Sequence, residues 1–138
     1  MKTPILLLPI VLLIFWSCEE KKDDETIDTT PPSVSITFPN NNSTVNDTVV
    51  IACVSTDDDE VEKVELWING SNSGISDNSE PYSLDWNTTT YKDDSYVITV
   101  RSYDTSGNTT DSDPITLTVD NSGSYPQSVS IISIVFGD

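Results

Sequence analysis

Between Ser33 and Asp120 the apolar residues fall at every second position in six short runs, and each run ends in a cluster of turn-forming residues. A period of two belongs to a strand with one face buried, whereas a helix needs a period near 3.6. The runs are Val34-Ile36-Phe38, Val49-Ile51-Cys53, Val64-Leu66-Ile68, Tyr82-Leu84-Trp86, Tyr96-Ile98-Val100 and Ile115-Leu117-Val119. Asn69-Gly70 predicts a tight hairpin turn, and Gly107 supplies a turn residue free to adopt positive φ. Ser71 to Glu80 reads as a loose segment with one short strand near Gly74 to Asp77. Seven short strands and no helical window imply an all-β sandwich or barrel. Composition agrees: the chain has one alanine against 19 serines and 17 threonines, poor material for helices.

The predicted inward set is these six runs without Phe38, which leaves seventeen side chains, enough for one small core.

Charge and residue types narrow the function. The 138 residues carry 6 Lys+Arg against 23 Asp+Glu, a net charge of −17, which argues against nucleic acid. There is no histidine, so the chain holds no Ser-His or Cys-His pair. The acids cluster on loops rather than around a cleft. The chain is therefore expected not to be an enzyme and to have no catalytic residue.

Residues 1–17 read as an export signal: Lys2 is the positive start, and Ile5 to Trp16 is a nearly unbroken apolar run, too short to cross a bilayer. Two other readings are open, an ordinary cleaved leader with Cys18 incidental and a retained membrane helix. The run followed by Ser17-Cys18 resembles the lipobox of bacterial lipoproteins. That resemblance implies cleavage before Cys18, lipidation of its sulfur and a stable membrane anchor. Residues 18–32 hold one isoleucine and no aromatic residue, and read as a lipidated cysteine followed by a disordered acidic tether. Within it, Glu20-Lys21-Lys22-Asp23-Asp24-Glu25 resembles the signal that sends lipoproteins of the Bacteroidota to the outer face of the outer membrane. The plain reading of the same residues is a solvated charge run. The expected location is the cell envelope, on the outer membrane and surface-exposed.

Over residues 33–120, the order of Ser35-Ile36-Thr37, Val49-Val50-Ile51, Val64 to Gly70, Pro81 to Trp86 and Asp104 to Thr109 resembles the bacterial immunoglobulin-like domain. That resemblance implies a Greek-key β-sandwich of about seven strands. Antibody-type domains carry a disulfide between two facing strands. Cys53 has no counterpart here, so it reads as a buried small hydrophobe, with a reactive thiol as the alternative. Residues 121–138 read as a linker and then a strand over Tyr125 to Phe136. That strand opens a second, possibly truncated β domain or docks back on the sandwich.

Two candidate sites follow. Asp57, Asp58, Asp59 and Glu60 are placed on one loop, with Asp104 and Asn108 on another at the same pole, a candidate calcium site in a protein otherwise expected to need no cofactor. The competing reading has Asp57 and Asp104 bonding to loop backbone. Trp67, with Tyr103 and Tyr91, is a candidate aromatic platform for sugar rings. The function expected is a non-catalytic envelope module for adhesion, ligand binding or spacing, with a glycan or protein ligand as partner besides the membrane. The alternatives are a carbohydrate-binding accessory module, or the anchoring N-terminal part of a longer secreted hydrolase.

Overall fold

The structure is a computed structural model that describes residues 27–123. The leader, Cys18, most of the tether and the Tyr125–Phe136 strand lie outside the described residues. Among the described residues, nine strands run in chain order: β1 (Ser33–Phe38), β2 (Thr44–Val45), β3 (Thr48–Thr56), β4 (Val61–Ile68), β5 (Ser71–Asp77), β6 (Ser83–Asn87), β7 (Ser95–Asp104), β8 (Thr109–Asp111) and β9 (Ile115–Val119). A single 3-10 turn, Thr88–Thr90, is the only helical element among the described residues.

The strands form two sheets, one ordered β1-β3-β6 and one ordered β2-β9-β7-β4-β5, with β8 also paired to β7. The period-two runs face each other between them. Among the described residues, all thirteen buried apolar side chains belong to the predicted inward set; Ile51, Val64, Leu66, Leu84, Ile98, Val100 and Leu117 have no exposed surface at all. The other four of that set, Val34, Ile36, Tyr96 and Ile115, pack against this core at its margins, joined by Val45, Val61, Ile75 and Tyr91.

The sequence reading understated the segment after Gly70. Ser71 to Asp77 is a seven-residue strand paired antiparallel with β4. Its sequence, SNSGISD, has too few apolar residues to show a period, because β5 is an edge strand whose pairing comes from the turn before it. Asn69 and Gly70 sit at φ 49° and 77°, the two positive values of a type I′ turn. In constant-type immunoglobulin domains the fourth strand joins the sheet of the first, second and fifth. Here it lies beside β4 in the other sheet.

The strands β2 and β8 were also unforeseen. β2 pairs parallel with β9. β8 and β9 share one side of β7, separated by Ser112-Asp113-Pro114, where proline cannot donate to the ladder. Buried Ser112 bridges the break: its amide donates to the Val100 carbonyl at 2.8 Å, and its Oγ accepts from the Val100 amide at 3.1 Å.

Candidate functional site

The two poles of the sandwich are built differently. At the pole where β3 ends, the β3–β4 loop (57–60) meets the β7–β8 turn and the incoming segment 27–32. Asp104 closes β7 with no exposed surface. Its Oδ1 accepts from the amides of Ser106 and Asn108 at 2.9 and 2.8 Å, and its Oδ2 accepts from Asn108 Nδ2 at 2.7 Å. Burial pushes its carboxyl pKa up, but these donors outweigh it and hold the pKa below the ordinary aspartate value. Asp104 is thus the stitch of its own turn, as the backbone-bonding reading has it.

Asn108 reaches from that turn to the carbonyl of Asp28 at 3.2 Å, fastening the incoming segment to the pole. Asp28, Asp57 and Asp58 then converge, each offering a carboxylate oxygen, with those oxygens within 4.8 Å of one another. One oxygen of each carboxylate accepts a hydrogen bond. Asp28 Oδ1 accepts from the Thr30 amide at 2.8 Å, Asp57 Oδ2 from the Asp59 amide at 3.2 Å, and Asp58 Oδ2 from the Thr30 hydroxyl at 3.4 Å. Asp28 Oδ2 and Asp57 Oδ1 are shielded from solvent with no hydrogen-bond partner. Of the predicted set, the structure brings Asp57 and Asp58 together. Asp59 contributes a backbone amide, and Asp104 and Asn108 serve the neighbouring turn. Asp28 was missed: it lies in the polar run that reads as tether, and no spacing ties it to a loop 29 residues later.

The second candidate lies on the outer face of the larger sheet. Trp67 on β4 is half-buried, with the Arg101 guanidinium stacked 4.1 Å from its ring centroid. Arg101 Nε and Nη2 donate to the two carboxylate oxygens of Asp111 at 2.6 and 2.8 Å, a bidentate pair. This pairing raises the guanidinium pKa and lowers that of Asp111. One step along, Tyr103 donates to Glu65 Oε2 at 2.7 Å, and Lys63 sits 4.6 Å from the Tyr103 ring centroid while donating to Glu65 Oε1 at 2.8 Å. Trp67 and Tyr103 therefore share a face but are interleaved with charge. Trp67 Nε1 has no partner.

Tyr91 is not on that face. It packs edge-on against Trp86 and Tyr96, with centroids 5.2 and 5.5 Å away, and belongs to the core margin at the opposite pole. Cys53 is 5 % exposed, and burial pushes its thiol up to about 11, so the buried-hydrophobe reading fits its surroundings.

At that opposite pole Asn121 pins the outgoing chain. Its Oδ1 accepts from the Asp47 amide at 3.3 Å and the Thr88 hydroxyl at 3.2 Å, and its Nδ2 donates to the Thr88 carbonyl at 3.0 Å.

This architecture recurs in solved structures. The fibronectin(III)-like modules of Clostridium thermocellum CbhA align with a TM-score of 0.52 and 25% identity over 64% of this chain and 45% of theirs. The endo-beta-1,4-mannanase from Thermotoga petrophila aligns with a TM-score of 0.53 and 20% identity over 67% of this chain and 20% of its own. The chain thus spans less than half the length of either. No curated protein matches it. The family model described as a bacterial Ig domain matches residues 32–100, from the last residue before β1 into β7. With half its length matched, the chain belongs to the bacterial Ig domain family.

Proposed function

We propose that this chain is a non-catalytic lipoprotein of the cell envelope, anchored through a lipidated Cys18 and presenting its Ig-like sandwich at the cell surface for adhesion or ligand binding. The observation that supports the reading is where the chain enters and leaves the sandwich. Asp28 comes in at the pole of Asp58 and Asn108, and Asn121 leaves at the pole of Asp47 and Thr88. β3 joins these poles with nine residues, roughly 30 Å at ~3.3 Å per residue. A lipid on Cys18, ten residues before Asp28, keeps the acidic pole near the membrane and leaves the far pole and both sheet faces outward. The Trp67–Arg101–Asp111 and Tyr103–Glu65 array is the ligand-facing candidate, combining flat aromatic area with charged hydrogen-bonding groups. A carbohydrate-binding accessory role would use this same array; an anchoring role for a hydrolase would not need it.

Mass spectrometry of the protein from its host membranes tests the anchor. The expected result is loss of residues 1–17 and an acylated Cys18, with Cys18→Ala moving the protein to the soluble fraction. A bare Cys18 or a retained leader overturns the reading. A glycan array with Trp67→Ala as control tests the face: binding that survives the substitution, or no binding at all, removes sugar as the ligand.

A second reading is a bound calcium ion at Asp28, Asp57 and Asp58. What favours it is the pair of shielded, unpartnered oxygens, Asp28 Oδ2 and Asp57 Oδ1, in a group of three carboxylates. Like charges in that arrangement repel unless a cation lies among them. Hard carboxylate oxygens are the donors calcium selects.

A further inference from the structure

At the acidic pole a groove opens between the β3–β4 loop (57–60) and the segment 78–82 that leads into β6. Asp57, Asp59 and Glu60 stand on one wall and Glu80 on the other. Among the described residues no lysine or arginine lines it: Lys63 and Arg101 are paired with Glu65 and Asp111, and Lys92 lies at the far pole beside Asn121. Along β3 the groove turns apolar, with Val54 and Pro81 exposed in its wall. Its floor is Tyr82. The ring belongs to the core and the residue is 6 % exposed, yet it lines both stretches of the groove, so the end it presents there is the hydroxyl. Tyr96 and Tyr103 give their hydroxyls to the Lys92 carbonyl and to Glu65, whereas that of Tyr82 bonds to nothing among the described residues. Burial, and after it the charges of Glu80 and Asp77, raise its pKa, so it stays a neutral phenol with lone pairs free for an N–H donor.

We propose that this groove holds a basic side chain, lysine or arginine, of a protein partner, its cationic head among Glu60, Glu80 and the Tyr82 hydroxyl and its methylene stem along Val54 and Pro81. Each part of the groove selects the same chemistry. Carboxylates on two walls favour a positive head, and a net charge of −17 draws it in from a distance. The Tyr82 oxygen accepts from a directional donor, which the N–H groups of an ammonium or guanidinium supply. Lysine and arginine are also the side chains that are apolar along the stem and charged at the tip, as the groove is apolar along β3 and acidic at its mouth. A bare metal ion would take the carboxylates and leave Val54 and Pro81 uncovered. An apolar group would strip water from the carboxylates with no charge to offset the loss. The floor is held in place before any partner arrives: the Cys53 amide donates to the Tyr82 carbonyl at 3.3 Å, and the next amide, of Ser83, donates to Asp77 Oδ2 at 2.9 Å. This site is separate from the Trp67 face and needs no lipid on Cys18.

The test titrates Nα-acetyl-lysinamide and Nα-acetyl-argininamide into the isotope-labelled full chain and follows the backbone amide shifts. Nα-acetyl-norleucinamide, a stem of similar length without the charge, is the control probe. The basic probes are expected to give saturable shifts centred on Ser55, Thr56, Glu80 and Tyr82, and the norleucine probe almost none. Tyr82→Phe keeps the ring in the core and should weaken binding by about tenfold, as should Glu80→Gln. Asp85→Asn removes the same charge from the exposed side of β6 and should change binding less than twofold. Basic probes that shift nothing at these four residues overturn the proposal, as does a Tyr82→Phe chain that binds them as tightly as the unsubstituted one. So does a norleucine probe that binds equally well. Calcium that takes Glu80 and Tyr82 and excludes the lysine probe would make the groove a metal site and also overturns it. Trp67→Ala should leave every one of these shifts in place, so the sugar reading and this one fail separately.

Discussion

Ser55 of β3 and Ser102 of β7, both buried, meet across the sandwich with their hydroxyl oxygens 2.6 Å apart. Ser55 Oγ donates to the Ser33 carbonyl at 3.1 Å, which leaves it to accept from Ser102. Two small residues thus tie β1, β3 and β7 together, and neither hydroxyl is left unmet in a buried site. Ser55→Ala strands the Ser102 hydroxyl and is expected to cost about 1–3 kcal/mol, while Ser102→Ala leaves Ser55 its carbonyl partner and costs about 1 kcal/mol. Urea unfolding of the double variant should show a loss below the sum of the two. Strict additivity would mean the hydroxyls do not interact.

The turn between β4 and β5 sets the register of an edge strand with little packing of its own. Asn69 is held from both sides by Val97: its amide donates to the Val97 carbonyl and its Oδ1 accepts from the Val97 amide, each at 2.8 Å. Gly70 takes φ 77°, and a Cβ there would meet no atom within 4 Å. The cost of Gly70→Ala is therefore purely conformational, about 1–2 kcal/mol. It should appear in denaturant unfolding with the slope unchanged. A loss below half of that would show that the type I′ turn does not set this hairpin.

Stability should respond to pH at the two extremes and stay level between them, since no histidine titrates in the middle. Glu65, Asp77, Asp104, Asp111 and Asp120 all have their pKa lowered in the fold. Each therefore adds stability above the ordinary carboxylate range that disappears as pH falls through the lowered value. Unfolding midpoints should drop below about pH 4, the unfolded value for these groups. At the alkaline end the unfolded chain ionises Cys53 near the ordinary thiol value of 9.0, while the fold holds it protonated to about 11. Stability should decline over that window, and Cys53→Val should flatten the decline. The folded thiol should also resist alkylation at pH 8 and react once urea unfolds the chain.

What was legible in the residues follows from where each one sits. Val64, Leu66 and Ile68 alternate with Glu65 and Trp67 because one face of β4 packs and the other meets water, so both the strand and its inward side can be read directly. The edge strands left no such mark. β5 and β8 are mostly polar, and they exist because a turn or a neighbouring strand presents its hydrogen bonds to them. The acidic pole was half legible: the loop position of Asp57 and Asp58 follows from the strands on either side, whereas the arrival of Asp28 depends on Asn108 taking its carbonyl, a contact over 80 residues that no local pattern encodes. Likewise Trp67 was placed on its face correctly, but its stacking on Arg101 depends on the β4–β7 register, in which Glu65 rather than Trp67 lies opposite Arg101.

The three carboxylates make calcium binding a question of sign as well as size. Without a cation, Asp57 Oδ1 and Asp28 Oδ2 are shielded and unpartnered, so Asp57→Asn should raise the melting temperature in EDTA by relieving repulsion. With calcium present the same substitution should lower it, because a donor to the ion is lost. A ligand selective for the native state at 100 times its dissociation constant stabilises by about 2.7 kcal/mol, which for a domain of this size raises the melting temperature by about 10 °C or more. Magnesium at equal concentration should do less, since it gives up its water reluctantly and demands a tighter geometry. Asp120→Asn, at the far pole, should leave the calcium shift intact, and Asp104→Asn should lower the melting temperature equally with and without the ion, since its oxygens are already taken by Ser106 and Asn108. An unsubstituted protein that melts at the same temperature in calcium and in EDTA would reduce the cluster to three carboxylates that hold the incoming chain through Thr30 and Asn108 alone.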